Sequence, residues 1–300
     1  MSLSTFIDHC SKDPTYFHRR LFWEVLHSLP ERDVSAKTKH GKLLFSSKDL
    51  HMGRALYCAK ECDYSDIEAA ARLLKKTGRI GTSGGKIVLD VGANIGTVCI
   101  PFVKNGHFQS AIGFEPGPKN YEYLGKNIRA NGLEGKIKAH SMALSSVNGT
   151  KPLLICAENF GDHRIAIESE EKTLFSFEPK REQVSVSVKT LDQFLLDEKI
   201  PHQSIDLLWM DTQGHEPEVL KGALGLLKSG VSLVTEIWPY SLKRSEPVLK
   251  EFFDTLKSNY KYFYDLKISD PVQRSTAELD SLLEIYNGDQ YACTNILLVS

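Results

Sequence analysis

The residues of this chain best placed to do chemistry stand in the run Ile87-Val88-Leu89-Asp90-Val91-Gly92-Ala93-Asn94-Ile95-Gly96. An apolar stretch ends at an acid, passes two glycines flanking an asparagine, and turns apolar again, as a buried strand, a tight turn and a helix start do. Gly92 lets the chain turn sharply and leaves its amides bare to a ligand. Asn94 tolerates the left-handed conformation, and Gly96 lets the next helix pack close to the strand. The order Asp-x-Gly-x-Asn-x-Gly puts the acid first, unlike the Gly-x-Gly-x-x-Gly of dinucleotide folds. It suits a ligand with an amino group and a carboxylate better than a pyrophosphate, and S-adenosylmethionine is such a ligand. Further on, the run Ala111-Ile112-Gly113-Phe114 ends at Glu115-Pro116-Gly117-Pro118. An acid at the end of a second strand, roughly 20 residues after the turn, is where such folds take ribose hydroxyls. The expected donor-site residues are therefore Asp90, Gly92, Ala93, Asn94, Gly96 and Thr97 at the turn, with Glu115 and Pro116 at the ribose. Ser141, Met142 and Ala143 follow the third strand and are expected to line an adenine pocket.

Methyl transfer to a hydroxyl also needs a base near the methyl group. Ligands of such sheets bind beyond the carboxyl ends of the strands, so the candidates stand where the fourth and fifth strands end. Asp211 leaves a buried run at that edge and is expected at both the donor and the catalytic site, with His215 behind it. Glu216 also follows, but an acid in a first helical turn suits the helix dipole without any catalytic duty. Gln213 and Glu236 are placed beside the substrate. A second polar cluster, Asp162-His163-Arg164, offers an acceptor, an imidazole suited to proton transfer near neutral pH and a guanidinium suited to an anionic or polyhydroxyl acceptor. His163 joins Asp211 and His215 among the catalytic candidates, and Asp162 and Arg164 join the substrate-binding ones. Asp211, Glu236 and Asp162 could give oxygens to a divalent ion, but no motif fixes a coordination set and no metal is assigned.

From residue 86 onward, strand-like and helix-like segments alternate, which argues for an α/β sheet. Strands are expected at 86–91, 111–115, 136–140, 205–210, 231–237, 261–266 and 294–300. Helices are expected near 95–105, 118–131, 190–198, 216–229 and 246–258, and over 276–286 with Ser275 as cap. Segment 145–189 interrupts the alternation, and its stretches 151–157 and 183–189 have strand character, the latter through the alternation Val184-Ser185-Val186-Ser187-Val188. It reads as an antiparallel insertion over the active-site edge. Residues 1–80 read as a mostly helical extension, with helices at 15–28 and 66–76, a Ser65–Glu68 capping box and a short strand at 41–45. Residues 81–300 form the main domain.

Composition sets outer bounds. A formal net charge of −1 and 41% hydrophobic residues describe an ordinary soluble globular chain with no basic footprint for nucleic acid. No apolar run approaches a membrane span, and the polar N-terminal residues read as lacking a signal peptide. A cytoplasmic location is expected, and the six scattered cysteines are expected to be reduced thiols. A Cys58/Cys62/His51 metal site lacks a second ligand pair.

Taken in order, these segments resemble the FkbM-type methyltransferase family. The matching pieces are Val88 to Gly96, Phe114-Glu115-Pro116, Asn127, Ala143-Leu144, Thr190-Leu191-Asp192, the run Ile205 to Glu216, Val219-Leu220-Lys221-Gly222-Ala223, Glu236 and Asn295. The resemblance covers about residues 65–300. It implies a class I methyltransferase fold, Rossmann-like and seven-stranded with the last strand antiparallel, that uses S-adenosylmethionine to methylate mainly oxygen of small molecules or sugars. One departure stands out: the family form Asp-Val-Glu-Gly reads Asp211-Thr212-Gln213-Gly214 here. If the family's glutamate is a base, Gln213 cannot replace it, which motivates a second reading, a non-catalytic nucleotide-binding module. A nicotinamide dehydrogenase is a third, disfavoured by the glycine spacing.

Overall fold

Strands buried on both faces carry near-continuous apolar runs, and such runs fix the centre of this molecule. The computed structural model describes residues 3–166, 181–242, 246–287 and 292–300. The chain opens with helices α1 (Leu3–Lys12) and α2 (Tyr16–Ser28), the strands β1 (Asp33–Thr38) and β2 (Gly41–Ser46), and helices α3 (Met52–Cys58) and α4 (Tyr64–Lys76). Then β3 (Gly85–Val91), α5 (Cys99–Lys104), β4 (Phe108–Phe114), α6 (Pro118–Ala130) and β5 (Ile137–His140) alternate. A side sheet follows, made of β6 (Ala143–Leu144), β7 (Gly149–Ile155), β8 (Arg164–Ile165) and β9 (Glu182–Lys189). The chain returns through α7 (Leu191–Asp197), β10 (Ile205–Met210), α8 (Glu216–Lys221), α9 (Leu224–Lys228) and β11 (Ser232–Ile237). It closes with α10 (Pro239–Leu242), α11 (Glu246–Asn259), β12 (Tyr262–Asp265), β13 (Arg274–Ser275), α12 (Ser281–Ile285) and β14 (Thr294–Val299).

Across the main sheet the spatial order is β5-β4-β3-β10-β11-β14-β12-β13. The pairs from β5 to β11 are parallel, while β14 runs antiparallel to both β11 and β12. The seven expected strands are present with the last one reversed, and the two-residue β13 adds an unexpected eighth at the edge. Strand order reverses at β3, which lies between β4 and β10, so the crevice beyond their carboxyl ends is the natural ligand site. One apolar cluster covers one face of the sheet and joins Val88, Trp209 and Leu297 to Trp23, Leu43, Phe45 and Leu56 of the N-terminal segment. The other face packs Leu89, Leu208 and Leu233 against Phe194, Leu220 and Phe252.

Several boundaries differ from expectation for local reasons. The N-terminal segment is not only helical: β1 pairs with β2 in a hairpin. Its buried residues Val34 and Ala36 are too small to mark a strand clearly. Helix α4 starts at Tyr64 after Asp63 in the left-handed region, and the Ser65 hydroxyl turns to Asp66 rather than capping. Asp66 is buried against the Asn295 amide, which donates to it at 3.0 Å. The helix expected over 216–229 breaks at Gly222, where a side chain would collide with the Ser145 carbonyl. The one expected over 276–286 divides into a 3-10 turn, Thr276–Glu278, and α12, although its Ser275–Glu278 capping box forms.

An isolated two-stranded hairpin is marginal and leaves open edges. Here α6 covers the free edge of β2 with side chains in place of a strand. Asn131 accepts from the Lys42 N–H at 3.1 Å and donates to its carbonyl at 2.8 Å. One turn earlier, Asn127 does the same for Leu44, at 2.6 and 3.0 Å, and also donates to the Ile95 carbonyl at 2.9 Å. Asn127→Ala would orphan buried main-chain groups at a cost of about 1–3 kcal/mol each. Lys42 is exposed, so the groups freed by Asn131→Ala turn to water. Denaturant unfolding is expected to place Asn127→Ala well below Asn131→Ala in stability, and equal losses would contradict this account.

Candidate active site

The turn after β3 is shaped by what lies against it. Gly92 has φ +86°, and a Cβ there would run into the main-chain carbonyl of Asp211. The Gly92 and Ala93 N–H groups both donate to the Phe114 carbonyl at 3.0 Å, Asn94 takes φ +49°, and Gly96 takes φ +96° with Ile100 pressed against it. Asp90 does not face the crevice. It lies beneath the turn and accepts the Cys99 N–H at 2.9 Å, at the start of α5. Burial pushes its carboxyl up to about 6, against the donors of Cys99. Thr97 also points away, its carbonyl accepting from His40 Nδ1 at 2.7 Å, while His40 Nε2 accepts the Cys62 N–H at 3.2 Å.

Glu115, in contrast, meets the cavity beyond the strand ends, together with Val91, Gly92 and Phe114. Its two oxygens accept the Asn94 N–H at 2.8 Å and the Gly117 N–H at 2.7 Å. Burial nonetheless pushes its carboxyl up to about 7. Each oxygen keeps a second lone pair for a ligand donor. Gly92, Asn94, Pro116 and Ala143 share this wall; Ser141 is exposed, and Met142 packs on the apolar cluster behind β3.

Asn120 and Phe160, neither foreseen, complete the wall. Asn120 and Asn94 both donate their side-chain amides to the Phe160 carbonyl, at 2.7 and 3.3 Å. Each leaves a buried Oδ1 without a hydrogen-bond partner. A buried orphan oxygen is costly unless a ligand or water serves it. Phe160 belongs to the loop between β7 and β8, which the N-terminal segment also grips through the Leu50 N–H and the Glu158 carbonyl, 2.8 Å apart.

On the far wall stand Asp211, Gln213 and His215. Asp211 is half-buried, its N–H donating to the Val91 carbonyl at 3.0 Å. Its carboxyl is pushed up to about 7, chiefly by enclosure and then by Glu216. Gln213 Nε2 lies 2.6 Å from Asp211 Oδ1 and 3.5 Å from Glu236 Oε2. Glu216 is saturated by its own turn: Thr212 N–H at 2.7 Å, Thr212 hydroxyl at 3.0 Å and Gly214 N–H at 2.9 Å. His215 is buried, with Nε2 3.0 Å from the Ser145 hydroxyl, and burial lowers it to about 4, so it is neutral at pH 7.

The Asp162-His163-Arg164 cluster is divided by the strand pleat. His163 and Ile165 face the cavity. His163 Nδ1 accepts the Cys156 N–H at 3.2 Å, which leaves the proton on Nε2, and burial lowers the ring to about 4. Arg164 turns to the other side, held by Asp162 at 2.5 and 3.0 Å with its guanidinium 5.0 Å from the Trp238 ring. Arg181 also donates to Asp162, at 2.8 Å. Of the expected site residues, the cavity therefore gathers Gly92, Asn94, Glu115, Pro116, Ala143, His163, Asp211, Gln213 and His215. Asp90, Ala93, Gly96, Thr97, Ser141, Met142, Asp162, Arg164 and Glu236 are not on its wall.

A β5-β4-β3-β10-β11-β14-β12 sheet with one reversed strand, a glycine turn after its central strand and an acid after the next define the class I methyltransferase, Rossmann-like fold. The chain belongs to the methyltransferase FkbM domain family, whose model matches residues 90–263. It is 32% identical over 154 residues to methyltransferase sdnD of Sordaria araneosa, covering 45% of this chain and 59% of that protein. It is 29% identical over 157 residues to the hexuronic acid methyltransferase AglP of Haloferax volcanii, covering 50% of this chain and 55% of that protein. The matches thus span a little over half the length of these relatives. Among solved structures it is similar to methyltransferase FkbM from Methylobacillus flagellatus KT, with TM-score 0.44, 14% identity and coverage of 76% and 47% of the two chains. It is also similar to an O-methyltransferase from Bacillus cereus in complex with SAH, with TM-score 0.42, 9% identity and coverage of 80% and 82%.

Asp90 gives a test of the buried acids. Between its ordinary value of 3.8 and about 6, the folded protein keeps a proton that the unfolded chain has released. Stability therefore falls as pH rises through that window. Asp90→Asn keeps an oxygen for Cys99 and removes the charge. Calorimetry between about pH 4 and 6 should show a flatter decline of Tm in the variant, and parallel curves would refute the assignment.

Proposed function

We propose that this chain transfers the methyl group of S-adenosylmethionine to a hydroxyl of a small metabolite or sugar. The observation that carries the reading is Glu115, held by two main-chain N–H groups with lone pairs left toward the cavity. That is the arrangement a ribose diol needs, since the amides fix the carboxylate and the diol supplies the remaining hydrogens. The orphan oxygens of Asn94 and Asn120 fit the same ligand, which is rich in N–H and O–H donors. When bound, the sulfonium supplies a methyl group already activated for displacement. The chain's own part is to align donor and acceptor, where orientation alone is worth several kcal/mol, and to take the proton of the acceptor hydroxyl.

Asp211 suits that proton. It lies at the cavity wall, and a base whose pKa sits near the working pH is the effective one. His215 and His163, both lowered to about 4, serve as neutral hydrogen-bonding walls, with His163 donating through Nε2. The β6–β9 insertion lines the cavity through Leu153, Phe160, His163 and Ile165 and so decides which hydroxyl enters, while the N-terminal segment steadies its loop from Leu50. A sugar acceptor accords with the hexuronic acid named for the Haloferax volcanii relative. Among the described residues no helix is long and apolar enough to cross a membrane.

Titration calorimetry is expected to record binding of S-adenosylmethionine and its demethylated product. Gly92→Ala and Glu115→Ala should each weaken it at least about tenfold, and a wild-type chain that binds neither compound overturns the proposal. Asp211→Asn should hold donor affinity within a few fold and lower methyl transfer to a responsive hydroxyl by about 100-fold or more. The wild-type rate should climb as pH passes about 7, because only ionised Asp211 accepts the proton.

A further inference from the structure

Around Asp211 the molecule gathers acids. Oxygens of Asp211, Glu216 and Glu236 lie within 4.8 Å of one another. Asp90 on β3 and Asp63, the residue before α4, also oppose the ionisation of Asp211 by their charge. The thiols of Cys62 and Cys293 stand alongside. In such company each ionised carboxylate opposes the ionisation of the next. Glu216 already has three donors from Thr212 and Gly214. Glu236 is driven well above the carboxylate range by burial and then by Asp211 and Glu216, with the Cys293 thiol donating to it.

Between Asp211 and Glu236 stands the carboxamide of Gln213, with one nitrogen 2.6 Å from the first and 3.5 Å from the second. An amide nitrogen has two hydrogens and no charge, so it serves both acids without adding to the repulsion. The chain accepts strain to put it there. Gln213 has φ +55°, in the left-handed region that side chains other than Asn and Asp rarely adopt. From that backbone the side chain folds back onto the acid two residues earlier.

We propose that Gln213 is the positioning residue of this site: its amide, set 2.6 Å from Asp211 and 3.5 Å from Glu236, donates between the two carboxyls and favours the ionised form of Asp211. The inference rests on Asp211 as the group that meets the acceptor hydroxyl. A glutamate of the same length would put a fourth carboxylate against Asp211 and force the pair to share a proton, as close carboxylates do. A methionine would keep the bulk and remove the donor.

The test needs neither donor nor acceptor. The full chain is labelled with 13C at aspartate and glutamate side-chain carboxyls and titrated by NMR, with Asp211 assigned by the signal lost in Asp211→Asn. Wild type should titrate at Asp211 near 7. Gln213→Glu should raise the Asp211 midpoint by at least one pH unit, tenfold in the proton equilibrium, and Gln213→Met should raise it by less. An Asp211 midpoint unmoved or lowered in the folded variants overturns the proposal. If Gln213→Glu does not fold, as judged by its amide spectrum, Gln213→Met decides alone. Calorimetry with S-adenosylmethionine on wild type tests the donor reading separately, and its failure would leave the titration result standing.

Discussion

The close approach of Gly92 to the Asp211 carbonyl is the contact on which the crevice depends. The β3 and β10 strands run parallel in register from Val88 and Leu207 to Val91 and Met210. Just beyond their ends, the Asp211 N–H donates back to Val91 while its carbonyl fills the space of the missing Gly92 side chain. The donor turn and the acid of the far wall are thereby locked to each other at main-chain level. No side-chain rotation can separate them, so the distance across the cavity is set by the sheet itself.

Around that contact the molecule accepts a concentration of buried carboxyls, and the way each is supported differs with its duty. Asp90 rests on the first N–H of α5 and stiffens the turn from below. Glu115 is held by two amides and left half free. Glu216 is fully occupied by its own turn. Asp211 has a single side-chain donor and one edge at the cavity. What separates Glu115 and Asp211 from Asp90 and Glu216 is a place on the cavity wall, which identity alone does not show.

Much of this was legible in the chain. Alternating apolar runs and helix patterns marked the seven main strands, and glycine spacing with the Glu115 acid marked one wall of the cavity. Those signals are local: a turn requires its glycine, and a buried strand requires its run. What escaped were residues whose partners lie far along the chain and on the main chain. Asn120 and Asn94 meet at the Phe160 carbonyl, Asn127 reaches Leu44, and His40 reaches Thr97. A main-chain partner has no residue type to recognise, so no spacing rule could reveal these bonds. Asp90 misled for the related reason that an acid before a glycine turn can point up to a ligand or down to a helix start. The Arg164 side chain fell on the far side of β8 through the two-residue pleat, a register the polar run around it did not display.

The asparagines in the last turn of α6 and at its cap have a consequence for the N-terminal segment. They hold β2 by its peptide groups, while Leu43 and Phe45 sink into the core and Asp33 of β1 accepts from Tyr123 and Lys126 of the same helix. The joint is thus fixed twice, by groups that every residue carries and by side chains particular to this sequence. The peptide-level half of that coupling is indifferent to outward side chains such as Lys42, and the segment's far end repeats the device, Leu50 gripping the loop after β7 through a main-chain bond to Glu158.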